Sequence, residues 1–375
     1  MRVAILAEVR AERASGCYDV ESLAAALARR DHDVRVMTAT PAGAISGNYR
    51  VTVIPGMAAD AGDELMPMIG EMSSFLVDEF GDEPPDVVLC HGWAYGMAAA
   101  LAARHRPVAT VQAFPRLSRR RAGAGAAPDT ARKLETLLAR NATRVTAACT
   151  DDMQDIIRMG CPRARVSVLP SGIDVDAYLA APAPRGGARH RVVALVDHLA
   201  APRGVGQLIA ALPAVPSAEL LVLGAGDPEG AAAQQMIAHA HRSGVGERTR
   251  VLSAVDDVDV ATWLASADVA VCPSPHDPDT RLTLTAMACG AAVVAVETGG
   301  ARDAVITEVT GLLVPPGHPQ ALSRALRSVL TQNVLRQGMG LAGRARARSR
   351  YSWDRVALDA EVVFEAATRR AALSA

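Results

Sequence analysis

The feature that most constrains this 375-residue chain is a repeated alternation of short apolar runs with longer stretches of helical periodicity. Runs such as Val3–Ala7, Val34–Thr38 and Asp86–Cys90 predict buried strands, because they are short and apolar almost throughout. The stretches between them carry apolar residues at helical spacing, which is typical of helices that cover a sheet. This alternation predicts an α/β fold with parallel sheets and helices on both faces.

The alternation pauses at a stretch rich in Pro, Gly and Ala over 180–190 and restarts at Arg191. The sequence therefore predicts two doubly wound, Rossmann-like domains, an N-terminal one over 1–178 and a C-terminal one over 179–350. A terminal helix is predicted within 351–375 and is expected to pack back on the N-terminal domain. Two such domains are expected to leave a deep cleft at the carboxyl ends of their strands, where doubly wound sheets bind ligands.

Composition and charge disfavour several classes of function. The formal net charge is -1 and only 3% of residues are aromatic, so the chain lacks the basic field and the stacking platforms of a nucleic-acid-binding protein. No apolar run approaches the roughly 18 residues of a membrane span, and the N-terminal apolar stretch is too short for a signal peptide. The six cysteines form no CxxC pair, so neither a disulfide framework nor a zinc site is predicted. We expect a soluble cytoplasmic protein that can form a homodimer.

A dinucleotide-binding site is not predicted. After the first strand, Glu8–Gly16 reads EVRAERASG, which lacks the G-x-G-x-x-G of such sites. Gly224-Ala225-Gly226 does follow a strand, but an isolated GxG is a common tight turn. Arg116–Thr130 is rich in Arg, Gly and Ala and predicts a mobile loop.

Several short segments of the second half occur in a characteristic order, and two segments of the first half accompany them. They are Arg29–Val34, Asp86–Trp93, Leu169–Asp174, Asp197–Leu199 with Arg203-Gly204, Leu223–Gly226, Ala267–Val269, Pro273-Ser274, Ala286–Gly290, Gly299–Asp303 and Thr310–Val314. This ordered set resembles the retaining, GT-B-fold sugar transferases of glycosyltransferase family four, also called group 1. The resemblance covers nearly the whole chain.

The resemblance implies that a nucleoside-diphosphate sugar, with UDP or GDP, is the substrate held by the C-terminal domain and that no cofactor or metal is required. Arg203 stands where the family has a phosphate-binding Lys, and His198 stands where it has an Arg. The helix that begins near Arg281, with Thr280 and Leu282 beside it, would direct its free N–H groups at the same diphosphate. Fixed positive groups and N–H donors are what a departing diphosphate needs.

The chain departs from the family in a degenerate Glu-x7-Glu motif, which here has Asp277 and Thr285. Asp277 keeps a carboxylate near the donor sugar, whereas Thr285 replaces a glutamate that accepts both ribose hydroxyls. Asp279 replaces an apolar family residue and is either a ligand for an unusual amino or cationic substrate group or a solvated turn residue. Asp277 and Asp279 also match a DxD metal motif, but two carboxylates alone make an incomplete oxygen shell, so a metal-independent site is expected.

The N-terminal half contributes three further candidate positions. Gly16 is what remains near the paired glycines of the family's first loop. His91 ends a strand at the expected cleft, where it either touches donor or acceptor or is a structural histidine. Gln112 stands where the family has a histidine, and its amide can position an acceptor hydroxyl but cannot act as a general base. Arg119–Arg121 either attracts an anionic acceptor or lipid headgroup or forms a solvated face.

Arg203, Asp277 and His91 are therefore the predicted catalytic residues of a retaining glycosyltransferase. Its acceptor is expected to be small and polar, giving an O-, N- or S-glycoside in bacterial specialised metabolism. One alternative is a catalytically inactive sugar-nucleotide-binding or scaffold protein on the same fold, which the loss of both motif glutamates favours. A sugar-nucleotide epimerase of the same fold is a third class.

Overall fold

The computed structural model describes residues 1–8, 19–39, 48–55, 65–114, 117, 129–179, 189–199, 204–253, 257–274 and 280–373. The chain divides into two compact units, one formed by 1–172 with 353–375 and the other by 173–352. The chain thus leaves the first unit after Gly172 and returns to it at Trp353. The sequence patterns place the corresponding boundaries at 178/179 and 350/351.

The first unit is built on a parallel sheet whose described strands run in the order β3-β2-β1-β4-β5-β6-β7. The strands are β1 (Arg2–Leu6), β2 (Asp33–Thr38), β3 (Arg50–Val53), β4 (Val87–His91), β5 (Ala109–Ala113), β6 (Arg144–Ala147) and β7 (Val166–Val168). The helices are α1 (Val20–Ala28), α2 (Leu65–Asp82), α3 (Trp93–Ala102), α4 (Asp129–Asn141), α5 (Thr150–Arg158) and, from the end of the chain, α13 (Trp353–Ala372).

Both faces of the central strands of this sheet are buried, which explains why β1 and β4 are apolar almost throughout. In β1, Val3 and Ile5 pack in one core with α1 and α13, while Ala4 and Leu6 pack in another with α2 and α3. Successive side chains of a strand point to opposite faces, so a strand between two helical layers needs apolar residues at every position.

The second unit repeats this plan with a parallel sheet in the order β10-β9-β8-β11-β12-β13. Its strands are β8 (His190–His198), β9 (Ala218–Ala225), β10 (Thr249–Ser253), β11 (Val269–Cys272), β12 (Val293–Val296) and β13 (Gly311–Val314). Its helices are α6 (Val205–Ala211), α7 (Ala231–Arg242), α8 (Asp257–Ala265), α9 (Arg281–Ala288), α10 (Gly299–Ala304), α11 (Pro319–Thr331) and α12 (Asn333–Tyr351). Two parallel-sheet α/β units confirm the predicted fold class.

Some helices were not predicted by the sequence patterns. Pro67 and Gly70 interrupt the pattern of α2, although a proline is tolerated in the first turn of a helix. The predicted loop over Arg116–Thr130 is wrong at its end, because Asp129 and Thr130 open α4. Apart from Leu117, the rest of that loop lies outside the described residues, as does most of the 180–190 linker. Among the described helices, none combines the length and apolarity needed to cross a bilayer.

Helix α13 belongs to the core of the first unit. Val356 and Phe364 are fully buried in the same cluster as the inner face of α1 and alternate residues of β1, β4 and β5. Trp353 lies against Gly172, where an added Cβ would overlap the indole ring. Glu361 accepts hydrogen bonds from the guanidinium of Arg30, at 2.6 and 3.0 Å. The last helix is therefore held by both apolar packing and an ion pair.

Candidate functional site

The carboxyl ends of the strands define one candidate edge in each unit. In the second unit the strand order reverses direction between β8 and β11, and in the first unit it reverses between β1 and β4. At such a switch point the loops on either side diverge and leave a crevice, which is where doubly wound sheets bind ligands. The residues that follow β8, β9, β11 and β12, together with those that follow β1 and β4, are therefore the first to consider.

His198 ends β8 and is exposed at this edge of the second unit. Its ring lies over Gly226, whose φ of 112° and missing side chain make room for it. A Cβ on Gly226 would lie 2.6 Å from the imidazole Cε1, and the positive φ would strain any residue with a side chain, so glycine is favoured here. The predicted donor-binding histidine is thus set against the turn that follows β9, which contains the Gly224-Ala225-Gly226 segment.

A second glycine turn follows β8 at the same edge. Gly204 precedes α6 with a φ of 81°, and a Cβ there would overlap the carbonyl oxygen of Pro273. Pro273 comes directly after β11, so this contact joins the loops of the two strands that flank the switch point. The predicted phosphate ligand Arg203 immediately precedes Gly204 in sequence but lies outside the described residues.

The beginnings of α9 and α10 also meet at this edge. Thr280, which precedes α9, is buried against Gly300, where an added Cβ would overlap the threonine side chain. The Thr298 hydroxyl, before α10, donates to the Ser274 carbonyl at 3.5 Å. Helix N-termini carry N–H groups without intrahelical partners and a partial positive charge, which suits an anion. Gly300 belongs to the family-like segment Gly299–Asp303, so the sequence already pointed to this position.

Helix α9 holds two buried hydroxyls whose burial leaves them unsatisfied. Thr283 and Thr285 are 0% and 2% exposed, and their Oγ1 atoms have no hydrogen-bond partner among the described residues. A buried hydroxyl without a partner costs about 1–3 kcal/mol, so such groups are uncommon, and each can accept one more polar partner. Thr285 is a predicted donor residue, whereas Thr283 was missed, since nothing but its proximity in sequence pointed to it.

Of the remaining residues predicted in the second unit, the structure describes some and not others. Arg281 is the first residue of α9, and Leu282 packs against the apolar cluster beneath the helix. Asp277 and Asp279, which precede α9 in sequence, lie outside the described residues. The structure therefore brings His198, Thr280, Arg281, Leu282 and Thr285 to the carboxyl edge of one sheet, and their contacts with a donor stay a prediction.

In the first unit, His91 ends β4 and lines a small concavity at the carboxyl ends of β4 to β7. The lining residues are Leu89, His91, Ala113, Phe114, Thr146, Ala147, Ala148 and Leu169. Burial lowers the pKa of His91 to about 4, because the charged imidazolium would lose its hydration. At neutral pH the imidazole is therefore uncharged and can exchange a hydrogen bond with a hydroxyl, but it offers no cation to a phosphate.

The side-chain amide of Gln112 is hydrogen-bonded to backbone carbonyls of the protein. Its amide nitrogen donates to the carbonyls of Cys90, Gly92 and Ala113 at 3.3, 3.0 and 2.9 Å. These bonds fix the turn between β4 and α3, and Gly96 in α3 leaves the space that the Gln112 side chain fills. Gln112 thus positions the loop that follows His91, and its predicted contact with an acceptor stays a prediction. Gly16, the last N-terminal candidate, lies outside the described residues.

The described part of the chain has no cluster of metal-ligating side chains. There, no three side chains of His, Cys, Asp or Glu come together in a way that could hold an ion. The DxD candidates Asp277 and Asp279 are not among those residues. What the described edges offer is a set of hydroxyls, imidazoles and helix N-termini, with Arg281 at the start of α9, suited to binding a polar ligand.

Two protein-family models match the two halves of the chain. The model described as "Glycosyl transferase 4-like domain" matches residues 18–172, and that described as "Glycosyl transferases group 1" matches residues 187–346. The two matches fall on the two structural units.

Full-length relatives point the same way. D-inositol 3-phosphate glycosyltransferase of Xylanimonas cellulosilytica is 28% identical, over 94% of this chain and 91% of the relative. The protein of that name from Geodermatophilus obscurus is 30% identical, over 76% of this chain and 67% of the relative. Glycogen synthase of Mycobacterium tuberculosis is 29% identical, over 93% of this chain and 90% of the relative.

Solved structures share the fold. Sucrose-phosphate synthase from Thermosynechococcus elongatus superposes with a TM-score of 0.79 at 21% identity, covering 97% of this chain and 98% of that one. HepE of Anabaena in complex with UDP-glucose gives 0.74 at 20% identity, covering 97% and 100%. With both units matched by family models and a 30% identical relative aligned over two thirds of its length, the chain belongs to the group 1 glycosyltransferases, family four, and has the GT-B fold.

Proposed function

We propose that this glycosyltransferase moves a sugar from a nucleoside-diphosphate donor, UDP or GDP, to a small polar acceptor with retention of configuration and without a metal. The observation that carries this proposal is the carboxyl edge of the second unit. There, His198 on Gly226, the turn at Gly204 and the first turn of α9 with Thr285 surround one sheet edge. The UDP-glucose complex of the structurally similar HepE supports the donor class.

The physical basis is stabilisation of the leaving group. Negative charge develops on the diphosphate as the glycosidic bond breaks, and preorganised donors stabilise it without reorganising. Arg203 is proposed as the cation, His198 and the first-turn N–H groups of α9 as hydrogen-bond donors, and Asp277 as the carboxylate near the sugar. In the first unit, neutral His91 is proposed to hold an acceptor hydroxyl. Orientation and charge stabilisation, with no covalent nucleophile, then carry the reaction.

The altered motif leads us to propose an atypical activated sugar, used in specialised metabolism. Asp277 and Thr285 replace the two glutamates expected from the family, which changes both the reach and the hydrogen-bonding capacity of the site. The acceptor class is narrowed only by relatives named for inositol 3-phosphate and for glycogen synthesis. A polyol with several hydroxyls is common to both, so polyols and their phosphates form the first acceptor panel.

The first experiment measures donor binding. A thermal-shift panel of UDP, GDP, ADP, CMP and dTDP identifies the base, and calorimetry with the best ligand compares wild type with Arg203→Ala. Loss of a charge-assisted hydrogen bond costs about 1.5–3 kcal/mol, which is about 10- to 150-fold in affinity. Unchanged affinity in a folded variant would place the phosphates elsewhere.

The second experiment measures turnover. Product formed from the chosen donor and each polyol is analysed by NMR for anomeric configuration, with and without EDTA. We expect the donor's configuration in the product and a rate that EDTA leaves unchanged. Activity that disappears with chelator and returns with magnesium would instead make Asp277 and Asp279 metal ligands. Tight nucleotide binding with no transfer to any acceptor would favour the inactive binding or scaffold protein.

A further inference from the structure

The amino edge of the first unit's sheet carries a cluster of arginines that the transfer reaction does not use. Arg140 lies in the last turn of α4, Arg144 opens β6, and Arg163 and Arg165 lie in the 3₁₀ turn before β7. We name these four residues the arginine patch. Because the strands are parallel, this edge is the opposite one to that at which His91 ends β4.

Backbone carbonyls, rather than carboxylates, hold the arginine patch in place. The bonds run from Arg140 to Met159 at 2.9 Å, from Arg144 to Ala164 at 2.6 Å, from Arg163 to Val166 at 3.2 Å and from Arg165 to Arg140 at 2.9 Å. A guanidinium has five N–H donors, so one carbonyl leaves most of them available, apart from the buried Nε of Arg144. Within the part of the chain that the structure describes, none of the four forms an ion pair with a carboxylate.

The loop is shaped to keep these side chains on the surface. Gly160 has a φ of 99°, and an added Cβ would lie 2.7 Å from Nε of Arg140. The Arg140 side chain therefore lies directly against Gly160. A residue with a Cβ at position 160 would push this side chain away. Such pinning lowers the entropy that each guanidinium would lose on binding an anion.

The charge of the patch is only partly offset. Neighbouring Arg158 forms an ion pair with Asp155 at 2.7 Å, so that pair adds no net charge to the patch. The carboxyl ends of α4 and α5 each contribute about half a negative charge, which leaves the patch at about +3. On the outer face of α4, Lys133 is exposed and Leu137 is 47% exposed one turn before Arg140. The patch is thus a positive surface with one apolar side chain among its charges.

We propose that the arginine patch, with Lys133 and Leu137, docks the first unit on an anionic phospholipid surface. Arginine matches the geometry of phosphate oxygens, and the exposed leucine can enter the headgroup region. A second copy of the chain would bring a like charge, and none of the patch residues is aromatic, so nothing in it would stack a nucleic-acid base. The surface lies away from the carboxyl edge, so this inference does not depend on the proposed function.

Cosedimentation with vesicles tests the proposal on the full chain. We expect binding to vesicles containing phosphatidylglycerol, none to phosphatidylcholine alone, and weakening as salt rises. Each basic residue near such a surface is worth about fivefold in partitioning, so Arg140→Gln with Arg163→Gln should reduce it about 30-fold. Arg140→Lys with Arg163→Lys keeps the charge and should keep binding. Arg324→Gln with Arg327→Gln, on exposed positions of α11 in the second unit, is the matched control.

Three results would overturn the proposal: equal binding to neutral vesicles, an equal loss in the α11 control, or loss in the lysine variant at unchanged thermal stability. Binding of pyrophosphate or inositol hexakisphosphate that Arg140→Gln with Arg163→Gln abolishes, without vesicle binding, would also overturn it and assign the patch to a soluble phosphate. Should the glutamine double variant fail to fold, Lys133→Gln replaces it, with an expected loss of about fivefold. Transfer to a soluble acceptor should be unchanged in every variant, which separates this inference from the proposed reaction.

Discussion

At the scale of single residues, three glycines of the family-like segments are explained by close packing. Gly172 lies against Trp353, Gly204 against the Pro273 carbonyl, and Gly226 beneath the His198 ring. At Gly172 and Gly204 a Cβ would overlap an indole ring or a backbone carbonyl, and at Gly226 the positive φ disfavours a side chain, so glycine is favoured whether or not a ligand is present. These glycines shape the two candidate edges, and the side chains around them must be tested for binding.

Thr285 provides the first residue-scale prediction. Thr285→Glu should tighten binding of the best ribonucleotide and help its 2′-deoxy analogue less, because a carboxylate can accept from both ribose hydroxyls. Thr285→Val should weaken binding about fivefold, the equivalent of one neutral hydrogen bond of about 1 kcal/mol. Thr283→Val shows whether the second unpartnered hydroxyl of the same helix also contributes to binding. Calorimetry with both nucleotides measures each effect.

The contrary outcome for Thr285 is a packing role. In that case Thr285→Glu buries an unpaired charge, melts earlier than wild type and binds neither nucleotide better. Thr285→Val would then leave affinity unchanged and, by removing an unpartnered hydroxyl, leave stability unchanged or slightly higher.

His91 provides a pH-dependent prediction. Its pKa of about 4 in the folded protein lies below the ordinary 6.5, so the unfolded chain binds the extra proton between these values. Stability should therefore fall as pH drops from about 6.5 towards about 4, by up to about 3 kcal/mol from this group. Denaturant unfolding between pH 6.5 and 5 should show a shallower slope for His91→Gln. An identical slope in the two proteins would mean that the imidazole is solvated.

At the scale of elements, the sequence pattern around α13 predicts the helix but not the residues that it packs against. Its periodicity predicts a helix, but its partners lie more than 300 positions away, as in the Arg30–Glu361 ion pair. Hydrogen bonds from Arg30 and His32 hold the pKa of the Glu361 carboxyl below its ordinary value. Such a group stabilises the fold above the unfolded pKa, near 4.5, and the contribution is lost as pH falls through the folded pKa.

Glu361→Gln tests how much the contact of Glu361 with Arg30 and His32 stabilises the protein. The substitution leaves Arg30 and His32 without their charged partner, so the free energy of unfolding should fall by about 1–2 kcal/mol. Glu365→Gln, on the same helix, removes an exposed i, i+4 pair with Arg369 and should cost less than about 0.5 kcal/mol. Urea unfolding at neutral pH compares the two variants. Equal losses of unfolding free energy would show that the contact of Glu361 with Arg30 and His32 contributes no more than a surface ion pair.

At the scale of the whole molecule, the two units have separate apolar cores. Phe364 of α13 is fully buried in the core of the first unit, and Leu326 of α11 is fully buried in that of the second. Each residue is therefore a reporter of one core, although the two lie only 38 positions apart in sequence. Chains with separate cores are those in which a single unfolding transition is not guaranteed.

Calorimetry of two core variants tests this division. Phe364→Ala should destabilise the first unit by about 3–5 kcal/mol, and Leu326→Ala should destabilise the second by about 2–5 kcal/mol. Each should lower one melting component and leave the other in place. Val362→Ala, on the exposed side of α13, serves as the control and should change neither. A single transition that shifts equally in both variants would show that the units unfold as one.

The sequence by itself determined the class of fold and the family, because both are written in local signals. Strands buried on two faces must be apolar throughout, and helices over them must show their own period, so the alternation could be read without knowing any contact. The order of short family segments, including Pro170-Ser171-Gly172 and Gly299-Gly300, is likewise a property of the chain. Arg203, Asp277, Asp279 and Gly16 remain predictions of this kind, outside the described residues.

Only the tertiary structure decided what surrounds each group. The low pKa of His91 comes from burial, and the unsatisfied hydroxyls of Thr283 and Thr285 come from the packing of α9, neither of which a residue type reveals. The same holds for the arginine patch, whose members are up to 25 positions apart in sequence and meet only because β6 and β7 begin at one edge. Desolvation and net charge depend on neighbours in space, and those neighbours are set by long-range strand order rather than by local pattern.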